Sequence, residues 1–171
     1  MLKVITKAQE LDICKLRDVY AESLGDLVSP GDNQFGGNTH ALRKQEQFYS
    51  DIYAFLKVSH AFYGIWTEDG NYVSAVRVEQ FSDGMLLSGL ETTPKYRGQG
   101  FAKNLVEAVA EYLKQIGITK LYSHVSKNNC ASLSVHRACG FEVVGDTATF
   151  LDGSASSCYV TLCRDKDDAC S

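Results

Sequence analysis

At 171 residues, 44% hydrophobic and 22% charged, the chain has the size and balance of one globular domain, residues 1–171, able to bury a core of its own. No window approaches the ~20 apolar residues of a membrane-spanning helix, and the net charge of −4 argues against nucleic acid as the main partner. Six cysteines (Cys14, Cys130, Cys139, Cys158, Cys163 and Cys170) show no Cys-x-x-Cys spacing, so no metal site is expected. They read as reduced thiols of a cytoplasmic protein, since the first residues show no basic region followed by a long apolar stretch.

Leu2 to Ile5 reads as a short strand. Leu11, Ile13, Leu16, Val19 and Tyr20 recur at helical spacing and predict a helix over Ala8 to Leu24, with Thr6 as its cap. Gly25 to Asn38, rich in Gly, Asp and Asn, reads as a long loop, either a solvated linker or a functional segment. Thr39 to Val58 predicts a second helix with Leu42, Phe48, Ile52, Phe55 and Leu56 on its apolar face. His60 to Trp66 and Tyr72 to Glu79 read as strands joined by an Asp69-Gly70 hairpin signal, and Ser82-Asp83-Gly84 turns the chain into a third strand, Met85 to Thr93.

Phe101, Leu105, Val109, Leu113 and Ile116 predict an amphipathic helix that Gly117 ends. Leu121 to Val125 is the next strand, expected parallel to Met85 to Thr93 because it follows a strand–helix unit. Asn128 or Asn129 caps a helix running to about Cys139, where Gly140 stops it. Phe141 to Val144 and Cys158 to Cys163 read as a closing strand pair across the Gly- and Ser-rich Asp146 to Ser157, and the polar tail from about residue 165 is expected to fray. The order predicts an α/β fold: a mixed, mostly antiparallel sheet of about six to seven strands with helices on both faces.

The informative stretch is Leu90 to Leu105, LETTPKYRGQGFAKNL. A strand, a glycine turn and a helix start in succession make an anion site, because the first amides of a helix lack internal partners and carry the positive end of its dipole. The spacing is not that of a phosphate loop ending in Gly-Lys-Ser/Thr. A dinucleotide Gly-x-Gly-x-x-Gly also fails, since position 103 is Lys. Arg97-x-x-Gly100-x-Ala102 instead resembles the Arg/Gln-x-x-Gly-x-Gly/Ala signature of the GNAT superfamily of acyl-CoA-dependent N-acetyltransferases. Leu90-x-Thr92-x-Pro94 before it resembles the family's strand and loop, and Asn129-x-x-Ser132-x-x-Val135-His136 leading to Gly140-Phe141 resembles its second element.

The resemblance implies a GNAT fold with a splayed parallel strand pair at the cofactor site, acetyl-CoA as cosubstrate, and transfer of its acetyl group to a primary amine of a small molecule or peptide. Homodimers are common among such domains. The cofactor diphosphate is then expected on the backbone of Arg97, Gly98, Gln99, Gly100, Phe101 and Ala102, with Arg97 and Lys103 as charged neighbours. Leu90 and Thr92 are expected to pair with the pantetheine amides, and Asn129 to contact that arm further along.

An alkylammonium must lose a proton before it attacks, and Glu91, between Leu90 and Thr92 but pointing to the opposite face, is the candidate base; Glu79 is a second. His136 stands where the family commonly has a Tyr that protonates the departing thiolate. It reads either as that acid or as a ring satisfying a hydrogen bond, with Tyr96 and Tyr122 as substitutes. His40, His60 and His124 have no ligand-like spacing and read as structural. A second reading, a non-catalytic acyl-CoA-binding module, rests on the missing Tyr at position 136.

Overall fold

A computed structural model describes residues 1–24 and 38–165; the tail beyond Asp165 and most of the Gly25 to Asn38 loop lie outside these residues. Strand β1 (Leu2–Ile5) opens the chain and pairs with β2 (Phe62–Glu68). The chain reverses at Asp69 and Gly70, both left-handed, so that β2 and β3 (Asn71–Phe81) form the expected hairpin. Ser82 turns it again into β4 (Gly84–Thr92). Strands β5 (Lys120–Ser126), β6 (Glu142–Gly145) and β9 (Tyr159–Asp165) complete the sheet, in the order β1-β2-β3-β4-β5-β9-β6. Among the described residues these seven strands are antiparallel throughout except at β4–β5. The Gly- and Ser-rich segment carries a small hairpin, β7 (Ala148–Thr149) and β8 (Ala155–Ser156).

Helices cover both faces, each with its own core. On one side α4 (Phe101–Gln115) presents Leu105, Val106, Val109 and Leu113, all fully buried, to Val76, Val78, Leu87 and Leu121. Each such side chain contributes about 1.5–3 kcal/mol of burial, which sets the helix firmly on the sheet. The helix ends where Gly117 N–H bonds Lys114 O (3.0 Å) and Ile118 N–H bonds Leu113 O (2.9 Å), a double closure of the last turn. Helix α5 (Cys130–Ala138) adds Leu133 and Val135 to the edge of that core.

On the other side α1 (Ile13–Val19) and α3 (Asn38–Phe55) pack Leu16, Val19, Ile52 and Phe55 on Tyr63, Ile65 and Ala75. The single helix expected over Ala8 to Leu24 is broken into a 3₁₀ turn at Ala8–Glu10, α1, and the short α2 (Ala21–Leu24). The cap is Asp12, whose carboxylate accepts the Lys15 N–H (3.1 Å), not Thr6. Leu11 is extended before it, so the apolar spacing across 11–20 spans two segments that bury the same face.

The second break places the buried Tyr20 over β4, where its hydroxyl donates to Gly89 O (2.7 Å). That residue is a bulge: β3 advances from Ala75 to Arg77 while β4 goes from Glu91 back to Ser88, one residue more. Gly89 has φ +59°, and a Cβ there would approach the Arg77 guanidinium at 3.3 Å. The extra residue reverses the alternation of sides. Leu87 and Leu90 both pack on the α4 core, and Glu91 emerges on the face of α1 and α2. Removing the Tyr20 hydroxyl removes this partly buried hydrogen bond, so Tyr20→Phe is expected to lower unfolding free energy by about 0.5–1.5 kcal/mol in urea titration.

Candidate active site

Parallel pairing of β4 and β5 stops after three rungs, Met85–Leu121, Leu86–Tyr122 and Leu87–Ser123. Ser123 Oγ donates to Leu87 O (3.1 Å) at the last of them. Both strands continue, to Thr92 and Ser126, but the bulge bends β4 away and a cleft of about 660 Å³ opens between them. That volume lies within the range of small-ligand sites. The cleft runs from Glu22 and Ser23 of α2, past β4 and β5, to the start of α4 and the inner side of α5.

At its rim the 3₁₀ turn Pro94–Tyr96 closes with Arg97 N–H on Pro94 O (3.2 Å). Gly98 and Gly100 then take left-handed conformations (φ +72° and +83°) that a side chain would strain, and Gly100 caps α4. The first amide to enter the helical ladder is Asn104 N–H, on Gly100 O (3.0 Å). Those of Gly98 to Lys103 have no acceptor among the described residues, which leaves a row of donors at the positive end of a fifteen-residue helix.

Leu90, Thr92, Arg97, Gly98, Gly100, Phe101, Ala102, Lys103 and Asn129 all line the cleft. Gln99 does not; its side-chain amide donates to Lys95 O (3.1 Å). The Arg97 guanidinium bonds Thr92 O through Nε (3.0 Å) and Glu22 through Nη1 (2.6 Å), so it ties the turn to α2. Thr92 is buried with its hydroxyl on Ser74 Oγ (2.9 Å). Asn129 caps α5, accepting from Ser132 N–H (3.0 Å).

The two expected catalytic side chains reach the cleft from opposite faces of the sheet. Glu91 accepts a hydrogen bond from Ser23 Oγ, and burial raises its carboxyl above the ordinary value, against the lowering effect of Ser23 and Arg97. Glu79 does not line the cleft. His136 is 1% exposed. Its Nδ1 lies 2.8 Å from Ser132 O, and a carbonyl only accepts, so the proton sits on Nδ1 and Nε2 is bare. Burial lowers its pKa below 6.5, with the Ser132 carbonyl opposing. Tyr96 lines the cleft, edge-on to Phe101 (5.8 Å), whereas the Tyr122 hydroxyl is held by Asp83 (2.6 Å).

Among the described residues five buried side-chain N or O atoms lack a partner. Four of them, Ser88 Oγ, both ring nitrogens of His124 and His136 Nε2, belong to residues lining this cleft. Folded proteins rarely leave such groups unmet, and their concentration in one place makes this cleft the candidate site for a ligand. Ser88 and His124 were not foreseen as site residues, although His124 two residues past Tyr122 shares the side of β5 turned from the core.

Residues 30–141 match the model of the acetyltransferase (GNAT) family, and the chain belongs to that family; it is an acetyltransferase. Solved structures share the fold over nearly its whole length. The ribosomal-protein-S18-alanine N-acetyltransferase of Escherichia coli is 14% identical, with 99% of this chain and 97% of that one covered and a TM-score of 0.64. The PaiA N-acetyltransferase of Thermoplasma acidophilum, solved with coenzyme A, is 13% identical over 96% and 99%, at 0.63. An IAA acetyltransferase of Bacillus cereus is 15% identical over 96% and 98%, at 0.62. No curated protein matches the chain. Among the described residues no helix is long and apolar enough to cross a membrane.

The two cleft imidazoles, His136 buried and His124 half-buried, set a pH dependence. His124 and His136 both have pKa values lowered by burial, so the fold holds them neutral while the unfolded chain protonates them near 6.5. Their contribution is complete above that value and is lost as pH falls through it. The urea midpoint is expected to drop between about pH 7 and 5, and to drop less in His136→Gln.

Proposed function

We propose that this protein transfers an acetyl group from acetyl-CoA directly to a primary amine of a small molecule or peptide. One observation carries the reading: the strands part immediately beside a row of unpaired amides, so an acyl donor anchored on one face reaches a nucleophile arriving from the other. Acetyl-CoA supplies a thioester whose carbonyl an amine attacks, with a thiolate as leaving group. Neighbours named as N-acetyltransferases support nitrogen as the nucleophile.

The amides of Gly98 to Lys103 suit the diphosphate, the helix dipole adding about 0.3–1 kcal/mol, and neither glycine has an atom within 4 Å of where a Cβ would stand. Main chain of β4 beyond Leu87, unpaired toward β5, suits the amides of the pantetheine arm. Glu91 lies on the acceptor face between Ser23 and the Glu22–Arg97 pair and takes the amine proton; its raised pKa makes it a better base than an ordinary carboxylate. His136 faces the donor side. With Nδ1–H spent on Ser132 O, its resting form accepts at Nε2, and service as the acid requires a second proton that burial opposes. This favours a ring that holds the donor arm through a hydrogen bond at Nε2.

Thiol release from acetyl-CoA against polyamines, amino acids and lysine peptides tests the reading. Turnover with at least one class is expected. Glu91→Gln is expected to lose about 10²–10⁴-fold in kcat/KM with coenzyme A affinity unchanged by calorimetry. A raised carboxyl pKa means the ionised form costs stability above that pKa, so the same variant should be at least as stable as wild type at pH 7. Separately, Gly100→Ala places a side chain at φ +83° and should weaken coenzyme A binding at least about tenfold.

A further inference from the structure

On the acceptor side two half-buried polar residues, whose polar atoms are themselves shielded from solvent, remain without a task. Ser88 and His124 are the first residues of β4 and β5 past the last rung of their pairing. Leu87 and Val125 belong to the core under α4, so by alternation Ser88 and His124 both stand on the opposite face, the one Glu91 shares. The His124 ring is held by aromatic rings, with Phe81 at 5.2 Å and 87° and Phe150 at 5.4 Å and 87°. Among the described residues nothing bonds either of its nitrogens, nor Ser88 Oγ. A ring fixed this tightly with both polar atoms unmet, at the mouth of the gap, is a preorganised receptor for a hydrogen-bonding group.

We propose that His124 and Ser88 form the subsite for the attacking nitrogen, and that they select primary amines. The inference rests on the acetyl-transfer reading above. Once Glu91 has taken the proton of the ammonium group, a primary amine carries two N–H bonds and one lone pair. The bare nitrogen of the neutral His124 ring accepts one N–H and Ser88 Oγ accepts the other. Both hydrogens are then engaged on the acceptor face, and the lone pair is left directed into the gap where the thioester carbonyl arrives. A secondary amine offers one N–H and a substituent where the second acceptor stands. Glu91 moves the proton, and the Ser88–His124 pair aims the nitrogen.

The test takes the best acceptor from the amine panel and its N-methyl derivative, with wild type, His124→Phe, His124→Gln and Ser88→Ala, each checked for thermal stability and coenzyme A affinity. Wild type is expected to prefer the primary amine at least about tenfold in kcat/KM. His124→Phe should lose at least about tenfold on the primary amine with coenzyme A affinity unchanged. His124→Gln, whose carbonyl still accepts, should recover part of that loss. Ser88→Ala should narrow the preference over the N-methyl amine. Wild-type rates within about twofold for His124→Phe overturn the subsite while acetyl transfer stands. A wild-type enzyme that acetylates no amine overturns both. If His124→Phe fails to fold, the Ser88→Ala preference decides: an unchanged ratio overturns the inference.

Discussion

The geometry of this protein follows from one inserted residue in one strand. Gly89 gives β4 a bulge that Tyr20 pins through its carbonyl, and three consequences come together. The strand bends from β5 and ends their pairing after Leu87. It turns main chain that would have made further rungs into an unpaired edge. It also shifts the alternation of sides by one place, which brings Glu91 out of the α4 core and onto the face covered by α1 and α2. A regular strand would have closed the cleft and buried the carboxylate against Leu105 and Val109, where an unpaired charge is heavily penalised.

The rigid parts and the strained parts are divided accordingly. Helix α4 is anchored by four fully buried aliphatic side chains and a doubly closed C-terminus, so the row of free amides at its start is held at a fixed position over the cleft. The cleft itself concentrates groups that the described residues do not satisfy: four unpartnered buried atoms, a carboxylate raised by burial and two imidazoles kept neutral. Each lowers stability, and groups of this kind concentrate at functional sites. The larger cores on both faces of the sheet offset them.

Much of this was legible from residue order. The Asp69-Gly70 hairpin, the glycine turn, the amphipathic α4 with its Gly117 stop, and the parallel placement of β5 all rest on local chemistry, and they stand where the pattern put them. The early helix was misjudged because apolar spacing is blind to a break. Leu11 and Tyr20 keep the helical period while their backbones leave it, and the Asp12 cap lies inside the periodic run. Side-chain engagement was also out of reach. Arg97 reads as a phosphate contact from its place in the motif, yet its guanidinium lies on Thr92 O and Glu22, partners that only folding brings near. His124 reads as structural from the sequence, because its place at the cleft depends on where β4 and β5 part, and the bulge that parts them has no stronger sequence mark than a glycine inside a strand.

The placement of the two cleft histidines follows from the same phase argument. His136 comes from a helix on the α4 side, with one nitrogen bound to its own helix's carbonyl and the other free. His124 comes from the sheet on the opposite face, with neither nitrogen bound among the described residues. A ring with one nitrogen committed has a fixed tautomer and serves a partner of fixed geometry, which a cofactor arm is. A ring with both free takes whichever tautomer its visitor needs, at the cost of leaving two groups unmet when the site is empty. That difference matches the demands of a bisubstrate cleft, in which the donor is constant and the nucleophile must be admitted, stripped of a proton and turned in one place.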